Sequence, residues 1–326
     1  MDLVDPHGRT VRDLRISVTD RCNLRCRYCM PAEGMDWLAR SDLLTYEEIE
    51  RVARVCVERF GFTGIRITGG EPTVRAHLPV LVEKLAALGT DLSLTTNGAT
   101  LRLLAGDLRA AGLRRINISL DSLRPEAFFA ITRRHALEQV LDGIDAAVDA
   151  GFSPVKINCV LIRGVNDLEI VDFAAFGRER GVTMRFIEFM PLDADDGWAP
   201  ATVVPGAEVV AAIDAVYPLE PFEVRGSAPA ERFRYRDGAG EIGVIASVTQ
   251  SFCGSCDRVR LTADGMFRNC LFAVKETDLR SILRSGGSDD DLAAAVAADV
   301  GGKWAGHSIG KVNFIRPDRS MSQIGG

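Results

Sequence analysis

Six short β-rich runs alternate with amphipathic helical patterns over residues 14–190. The runs are LRISV (14–18), IRIT (65–68), LSLTT (92–96), INISL (116–120), VKINCVLI (155–162) and MRFIEFM (184–190). Helical periodicity separates them, as over residues 46–60, 78–88 and 137–150. Strands that alternate with helices form parallel sheets with right-handed crossovers. Because six units are too few for a closed eight-fold barrel, the sequence predicts an α/β fold built on a partial (βα)6 TIM-like barrel.

The composition changes near residue 190. The segment PLDADDGWAPATVVPG at 191–206 is rich in Pro, Asp and Gly, which is typical of a boundary between structural units. A chain of 326 residues is long enough for two domains, or for one barrel with an extension. We therefore predict a barrel over residues 1–190 and a C-terminal α+β extension over residues 191–326.

Chemically distinctive residues stand where five of the six predicted strands end. They occupy the cysteine-bearing stretch at 22–29 and residues 69–71, 96–98, 119–121 and 188–190. The carboxyl ends of parallel strands lie on one rim of a barrel, and active sites are built on that rim. The pattern therefore predicts a single shared site.

Three cysteines in the first of these loops, Cys22, Cys26 and Cys29, have the spacing C-x3-C-x2-C. Three thiolates can hold three irons of a cubic [4Fe-4S] cluster and leave the fourth iron open for chemistry. The same spacing also suits one buried face of a helix, and zinc is another candidate, although structural zinc sites use four ligands. Because Pro31 and the interleaved polar residues oppose a helix, the spacing favours the cluster.

A second group, Cys253, Cys256 and Cys270, begins with a C-x2-C pair in the segment SFCGSCDRVRLTADG. Such a pair also occurs in redox sites and zinc ribbons, and His307 could complete a zinc site. Given the first group, a second cluster with one open iron fits the three cysteines better. Two cysteines without grouped partners are predicted to be buried hydrophobic residues: Cys56 and Cys159.

Five cationic residues have positions that suit a phosphate-bearing ligand: Arg15, Arg66, Lys156, Arg258 and Arg260. The first three alternate with apolar residues inside predicted strands, and a cation on the inner face of a barrel needs an anionic partner. The last two follow the second cysteine pair, and guanidinium groups bind phosphate oxygens in a planar fork. A triphosphate would satisfy several of these cations at once. The alternative is ion pairing with acidic residues near the strand ends: Glu71, Asp121 and Glu188.

The overall charge and the apolar pattern exclude several classes of function. The 39 Lys and Arg residues against 45 Asp and Glu give a net charge of −6, which opposes general nucleic-acid binding. The polar N-terminus does not have the pattern of a secretion signal, and no run of about 18 apolar residues predicts a membrane span. Eight cysteines in a chain of this length predict metal ligands in a reducing compartment, the cytoplasm.

With Tyr28 before its third cysteine, and with the Gly-Gly-Glu-Pro turn at 69–72, the chain resembles the radical S-adenosylmethionine enzymes. Seven segments are also similar to the GTP 3′,8-cyclase family, which catalyses the first step of molybdenum-cofactor biosynthesis. They are TDRCNLRCRYCMP, RITGGEPTVR, TTNG, INISLDSL, MRFIEFMP, CGSCDRVRLTADG and MSQIGG. The similarity covers residues 14–326, and the second cysteine motif together with the Gly-Gly end makes it specific.

The resemblance implies two [4Fe-4S] clusters, S-adenosylmethionine as cofactor, GTP as substrate, a reductant of unknown identity and a homodimer. By the same resemblance, the cluster ligands are Cys22, Cys26 and Cys29, then Cys253, Cys256 and Cys270. The positions that match cofactor contacts are Tyr28, Gly70, Ser119 and Met190. The positions that match GTP contacts are Arg15, Arg66, Thr95, Lys156, Arg258, Val259 and Arg260. Gly325 and Gly326 match a tail that enters the active site and is needed for turnover, and the implied product is 3′,8-cyclo-7,8-dihydro-GTP.

Two positions depart from the family pattern. Gly64 stands where many relatives carry lysine, so one phosphate contact is missing or is supplied elsewhere. Asp257 stands where many carry asparagine, which adds a negative charge near the second cysteine pair. Neither position is a metal ligand. Two alternatives stay open at this point: a radical maturase that modifies a peptide, and a zinc-stabilised binding module without catalysis.

Overall fold

The computed structural model describes residues 2–192, 197–222, 225–309 and 314–325. Its strands are β1 (Asp13–Ser17), β2 (Gly64–Thr68), β3 (Asp91–Thr96), β4 (Arg115–Ser119), β5 (Val155–Leu161), β6 (Thr183–Glu188), β7 (Leu219–Pro221), β8 (Glu231–Tyr235), β9 (Glu241–Ile245), β10 (Arg258–Leu261), β11 (Met266–Arg268) and β12 (Thr277–Asp278). Its α-helices are α1 (Tyr46–Phe60), α2 (Leu78–Ala86), α3 (Ala105–Ala110), α4 (Pro125–Thr132), α5 (Leu137–Asp149), α6 (Ile170–Arg180), α7 (Gly206–Asp214), α8 (Leu279–Arg284), α9 (Asp289–Val300) and α10 (Met321–Ile324).

These strands form one sheet, in the order β12-β11-β10-β1-β2-β3-β4-β5-β6-β9-β8-β7. Strands β1 to β6 are parallel neighbours in chain order, with helices in the connections between them. This arrangement confirms the predicted partial barrel of six βα units. The region after residue 190 adds strands at both edges, because β10 pairs in parallel with β1 and β9 pairs in parallel with β6.

Helix α1 shows why its boundaries can be read from the sequence. The Thr45 hydroxyl accepts a hydrogen bond from the Glu48 N–H, and the Glu48 carboxylate accepts one from the Thr45 N–H, which closes a capping box. The helix ends at Gly61, whose φ of 68° is a left-handed conformation that glycine adopts at little cost. The predicted helix over 46–60 is confirmed, and the helices predicted over 78–88 and 137–150 end at Ala86 and Asp149.

Alternation along the strands separates the hydrophobic core from the interior of the barrel. In β1, Leu14 and Ile16 are fully buried and belong to the same hydrophobic core as Ile49 of α1. Arg15 lies between them and therefore points to the opposite face of the sheet. The same alternation in β2 places Arg66 on that inner face, beside Arg15 in register. The helices thus cover an apolar outer face, while the inner face carries charged side chains.

Among the helices of the described ranges, the longest is α1 with 15 residues. None of these helices is both long and apolar enough to cross a membrane.

Candidate active site

The first cysteine group lies in a loop that follows β1 at the carboxyl rim of the barrel. Cys22, Cys26 and Cys29 are each partly buried. The Leu24 N–H donates to Cys22 Sγ at 3.4 Å and the Cys29 N–H donates to the Cys26 carbonyl at 2.8 Å, so the loop coils upon itself. The N–H groups of residues 25 and 27 donate to carbonyls at the end of α4, at 2.9 and 3.0 Å, and hold the loop against the barrel.

The Gly-Gly-Glu-Pro turn after β2 packs directly against this loop. The Gly70 N–H donates to the Thr19 carbonyl at 2.7 Å, and the Glu71 N–H donates to the Arg21 carbonyl at 2.8 Å. A Cβ atom at position 70 would lie 2.4 Å from the carbonyl oxygens of both Asp20 and Arg21. Only glycine permits so close an approach, so Gly70 fixes the position of the chain that leads into the cysteine loop.

Tyr28 connects the cysteine loop to the middle of the sheet. Its hydroxyl donates to Asp121 Oδ2 at 2.6 Å, and the Val160 N–H donates to Asp121 Oδ1 at 2.8 Å. Burial raises the pKa of Asp121 to about 6, although both of these hydrogen bonds favour its ionised form. The loop is thereby tied to the segment after β4 and to the end of β5.

The three thiols of this group lie close enough to affect one another. Burial raises the pKa of Cys22 to about 11, and burial also raises the pKa of Cys26 and of Cys29. Negative charge at Cys22 raises the pKa of both other cysteines further. Three neighbouring thiols on one coiled loop fit a [4Fe-4S] cluster, which binds each thiolate through a separate iron.

The second group lies in the region after β9 and around β10 and β11. Hydrogen bonds to His307 and Ser251 lower the pKa of Cys253 to about 6, against the opposing effect of burial. The charges of Arg258 and Lys303 likewise lower the pKa of Cys256 despite burial, whereas burial raises that of Cys270. His307 therefore lies at this group, as the zinc alternative requires.

The spacing of possible ligands is also compatible with clusters. Within residues 2–192, 197–222, 225–309 and 314–325, no three Cys, His, Asp or Glu side chains converge tightly enough to hold a single metal ion. A cubic cluster binds each thiolate through a separate iron, so its three cysteines need not converge on one point.

Lys303 is a buried cation at the second group that sequence reasoning missed. Its side chain is only 4% exposed, and its Nζ donates to the Arg258 carbonyl at 2.5 Å and to the Asn269 carbonyl at 2.6 Å. It therefore joins the start of β10 to the chain just before Cys270. No local pattern marks this lysine, because it comes from the chain beyond α9.

A cavity of about 220 Å³ opens on the inner face of the barrel. Four of the predicted GTP-contacting residues line it: Arg15, Arg66, Lys156 and Arg258. Three further cations line it that the sequence analysis did not single out: Arg115, Arg185 and Arg232. Two acidic residues, Asp13 and Glu241, face the same space. Seven cations against two carboxylates make this cavity suited to a polyanion.

The three additional cations of the cavity were missed for different reasons. Arg185 alternates with apolar residues in MRFIEFM, which is the same signal that identified Arg66, and the sequence analysis could have found it. Arg115 begins β4 and pairs with Asp91, so it has the appearance of a surface residue at a strand start. Arg232 lies in β8, which reaches the cavity only because β8 and β9 join the sheet beyond β6.

Cationic nitrogens of the cavity retain hydrogen-bonding capacity. Arg15 Nε, Arg185 Nε and Arg258 Nη2 are buried and have no hydrogen-bond partner among the described residues. Burial, with repulsion from neighbouring cations, lowers the pKa of Arg15 to about 9 and that of Arg185 to about 10. The same two causes lower the pKa of Lys156 to about 8. An anion in the cavity would relieve both the repulsion and the unmet donors.

The alternative in which acidic residues near the strand ends neutralise these cations is wrong for the described structure. Thr73, Thr96 and Asn97 donate to the Glu71 carboxylate at 2.6 to 3.0 Å. Asp121 accepts from Tyr28 and Val160, as described above. The Glu188 carboxylate accepts from the N–H groups of residues 206, 248 and 249 at 2.7 to 2.9 Å. Their oxygens are thus engaged in holding the loops of the rim.

The remaining predicted positions lie around this framework. Ser119 ends β4, and Met190 is partly buried just after β6. Thr95 and Arg260 do not line the cavity, and the Val259 side chain is fully buried in the hydrophobic core. Arg260 Nη1 donates to the Gly325 carbonyl at 2.5 Å, which brings the C-terminal tail to the inner face. Gly326 lies outside the described residues.

Comparisons with known proteins agree with this geometry. Residues 16–177 match the model of the Radical SAM superfamily, and residues 182–309 match the model described as Molybdenum Cofactor Synthesis C. The structure of Streptococcus suis SuiB bound to S-adenosylmethionine has a TM-score of 0.63 and 14% identity, over 89% of this chain and 69% of that chain. Another SuiB structure gives a TM-score of 0.59, also with 14% identity, over 90% of this chain and 69% of that chain. The superfamily model that residues 16–177 match, together with the cysteine motif in that range, defines a radical S-adenosylmethionine enzyme.

Full-length relatives define the group more narrowly. The GTP 3′,8-cyclase of Streptomyces coelicolor is 50% identical, over 99% of this chain and 96% of its own length. The GTP 3′,8-cyclase of Rhodopirellula baltica is 49% identical, over 99% of this chain and 92% of its own length. The chain belongs to the GTP 3′,8-cyclase family.

Proposed function

We propose that this protein binds GTP with its phosphates in the cationic cavity and closes a bond between C3′ of the ribose and C8 of the guanine. The product would be 3′,8-cyclo-7,8-dihydro-GTP, the first intermediate of molybdenum-cofactor biosynthesis. The observation that carries this proposal is the cavity itself, where seven cations face two carboxylates and buried N–H groups lack partners. A triphosphate matches that charge and those donors.

Two sets of cysteines would hold the iron–sulfur clusters. Cys22, Cys26 and Cys29 would hold the first with S-adenosylmethionine at its open iron, and the second group would hold another whose open iron faces the guanine. When bound, the cofactor supplies the radical that removes the hydrogen at C3′. The residues that would contact the cofactor are Tyr28, Gly70, Ser119 and Met190.

The work of the protein's own side chains is to hold the substrate still and to exclude water. Arg15 and Arg66 lie on the paired strands β1 and β2, and Lys156 and Arg185 lie on the paired strands β5 and β6. Because all four side chains stand on strands of one sheet, they would fix the phosphates without a loop movement. Arg258 donates through Nε to Cys256 Sγ at 3.4 Å and also lines the cavity. It would therefore set the distance between the substrate and the second cysteine group. Thr95, Val259 and Arg260 do not line the cavity, so they would contact GTP beyond its phosphates.

The C-terminal tail would close the site. Gly325 lies beside β1 and β2, where a Cβ atom would meet Thr68 Oγ1 at 2.4 Å and Ser17 Cβ at 3.0 Å. Its φ of 80° also favours glycine. We propose that Gly325 and Gly326 are both needed for turnover, and at Gly325 the reason is that a larger residue would not fit this space.

The proposal also covers the domains, the compartment, the reductant and the oligomeric state. Residues 1–190 would form the catalytic barrel and residues 191–326 the region that supplies the second cluster and the tail. The eight cysteines are free, which supports a reducing compartment such as the cytoplasm. An external one-electron reductant and a homodimer complete the proposal.

Anaerobic incubation with S-adenosylmethionine, GTP and a strong reductant tests the function. Mass spectrometry should detect 5′-deoxyadenosine and a cyclised nucleotide in equal amounts. Cys26→Ala should abolish both, whereas Cys270→Ala should retain some cofactor cleavage without cyclisation. Cys56→Ala is the matched control, because Cys56 is buried in α1 and belongs to neither group, so this change should leave product formation intact.

Metal analysis separates the proposed cluster enzyme from the zinc-stabilised binding module. Anaerobically purified protein should carry iron and sulfide at both cysteine groups. Zinc without iron or sulfide would contradict the proposal and favour the binding module. Normal cyclised product from Cys270→Ala would contradict the role of the second group.

A further inference from the structure

The C-terminal tail is held by ion pairs before it enters the barrel. Arg319 donates from Nη1 and Nη2 to the two carboxylate oxygens of Asp264, at 3.1 and 2.8 Å. Its Nε lies 3.0 and 2.8 Å from the two oxygens of Glu276. The Arg319 side chain is 21% exposed and that of Asp264 10%, so these contacts are largely shielded from water. A forked contact of this kind restricts both position and orientation.

Glu276 has a second partner at the end of β11, just before the loop that carries Cys270. Arg268, which is 2% exposed, contacts Glu276 Oε1 through Nη1. The same guanidinium donates from Nη2 to the carbonyls of Leu271 and Ala273. Leu271 follows Cys270 directly and Ala273 lies two residues further on, so Arg268 fixes the conformation of the chain that carries this cysteine.

Beyond Arg319 the tail crosses the first cysteine group. The Ser322 N–H hydrogen-bonds to Cys29, and the Ser322 hydroxyl lies 3.5 Å from the sulfur of Met35. Ser322 is fully buried, and Ile324 is 1% exposed. The tail then reaches the Arg260 guanidinium through the Gly325 carbonyl, as described above. A continuous chain of contacts therefore runs from the Cys270 loop to Cys29.

We propose that Arg319 is a positioning residue that anchors the tail in the active site, and that the shared Glu276 carboxylate makes tail docking depend on the ordered Cys270 loop. The inference rests on the proposed function, because it assigns a purpose to the tail in that reaction. It gives a physical reason why the tail and the Cys270 loop are ordered together. The tail takes its place beside the first cysteine group only when the loop of the second group is in place.

Hydrogen exchange of the anaerobically reconstituted holoenzyme, read by mass spectrometry, tests the anchor. Arg319→Ala should accelerate exchange of the C-terminal peptide by about 10-fold or more, because a forked bond between charged groups is lost. Arg319→Lys should give an intermediate rate, since lysine keeps the charge without the fork. Arg163→Ala removes a comparable forked pair with Glu208 at a distant edge and should leave the tail unchanged. An unchanged tail peptide in Arg319→Ala would overturn the anchor.

Glu276→Gln tests the coupling. It should accelerate exchange both in the C-terminal peptide and in the peptide spanning residues 269–275. A response confined to one of these peptides would overturn the shared link. Peptides of β3 and β4 should exchange as in the unmodified protein. Faster exchange in these peptides as well would identify a global loss of stability instead. Exchange is measured without turnover, so absence of cyclised nucleotide from the unmodified protein would refute the proposed function and leave this result standing.

Discussion

Replacement of Gly70 by alanine should separate the cysteine loop from the turn that supports it. The added Cβ would lie 2.4 Å from two backbone carbonyl oxygens, those of Asp20 and Arg21, and 2.7 Å from the Arg21 carbonyl carbon. Backbone atoms cannot move aside as a flexible side chain can. Overpacking of this kind costs about 1–3 kcal/mol, and loss of the Gly70–Thr19 hydrogen bond adds about 0.5–1.5 kcal/mol. We therefore expect the free energy of unfolding to fall by roughly 2–4 kcal/mol.

Urea denaturation under anaerobic conditions measures this loss, and iron and sulfide analysis measures its effect on the first cysteine group. We expect the iron content assigned to that group to fall, because Cys22 follows the displaced residues directly. Gly106→Ala is the matched control. Gly106 lies in α3, and no heavy atom lies within 4 Å of the Cβ that alanine would add. This control should gain up to about 1 kcal/mol from helix propensity and keep its iron. If Gly70→Ala behaved like Gly106→Ala in both measurements, the close approach would be refuted.

Three further predictions concern the cavity and the rim. The Lys156 pKa of about 8 means that its ammonium is protonated below that pH and loses its proton above it, so calorimetry should show affinity for inorganic triphosphate falling as the pH rises through 8. Lys156→Arg should flatten that dependence between about pH 7 and 8.5, and an unchanged slope would contradict the role of Lys156. Glu188→Gln should lower the free energy of unfolding by about 1–3 kcal/mol because buried N–H groups lose an ionised acceptor, whereas the exposed control Glu208→Gln should cost less than about 1 kcal/mol. Arg258→Ala should weaken GTP binding by about 10-fold or more and leave S-adenosylmethionine binding unchanged, and equal losses for both ligands would argue against its assignment to the substrate.

Local patterns predicted the parts of the fold that depend on local physics. The strands β1 to β6 and the helices α1, α2 and α5 follow from periodicity, and their observed ends differ from the prediction by only a few residues. The cysteines and the strand cations were also recognisable, because charge inside an apolar alternation is unusual. No short segment of the sequence determines which distant strands pair. The positions of β9 and β10 at the two edges of the barrel therefore had to come from the structure.

In the candidate site, too, residues marked by local patterns were predicted and residues brought in from distant segments were not. Arg66 and Lys156 were identified from their own strands, whereas Arg232 and Lys303 reach the site from segments more than 40 residues beyond β6. For the acidic residues, the sequence left open ion pairs that the described structure does not contain. The sequence could not exclude that Glu71 neutralises a strand cation, because two of the groups that donate to its oxygens come from β3 and the turn after it, in addition to those of the nearby Thr73.

The parallel pairing of β10 with β1 has a consequence for how the protein is made. A ribosome releases the chain from its N-terminus, so β1 emerges about 240 residues before the strand that covers its outer edge. Until then that edge presents unpaired N–H and C=O groups, which is the kind of surface that pairs with other chains. Contacts this distant in sequence also slow folding, so in the half-synthesised protein β1, the strand that precedes the first cysteine loop, remains exposed to aggregation.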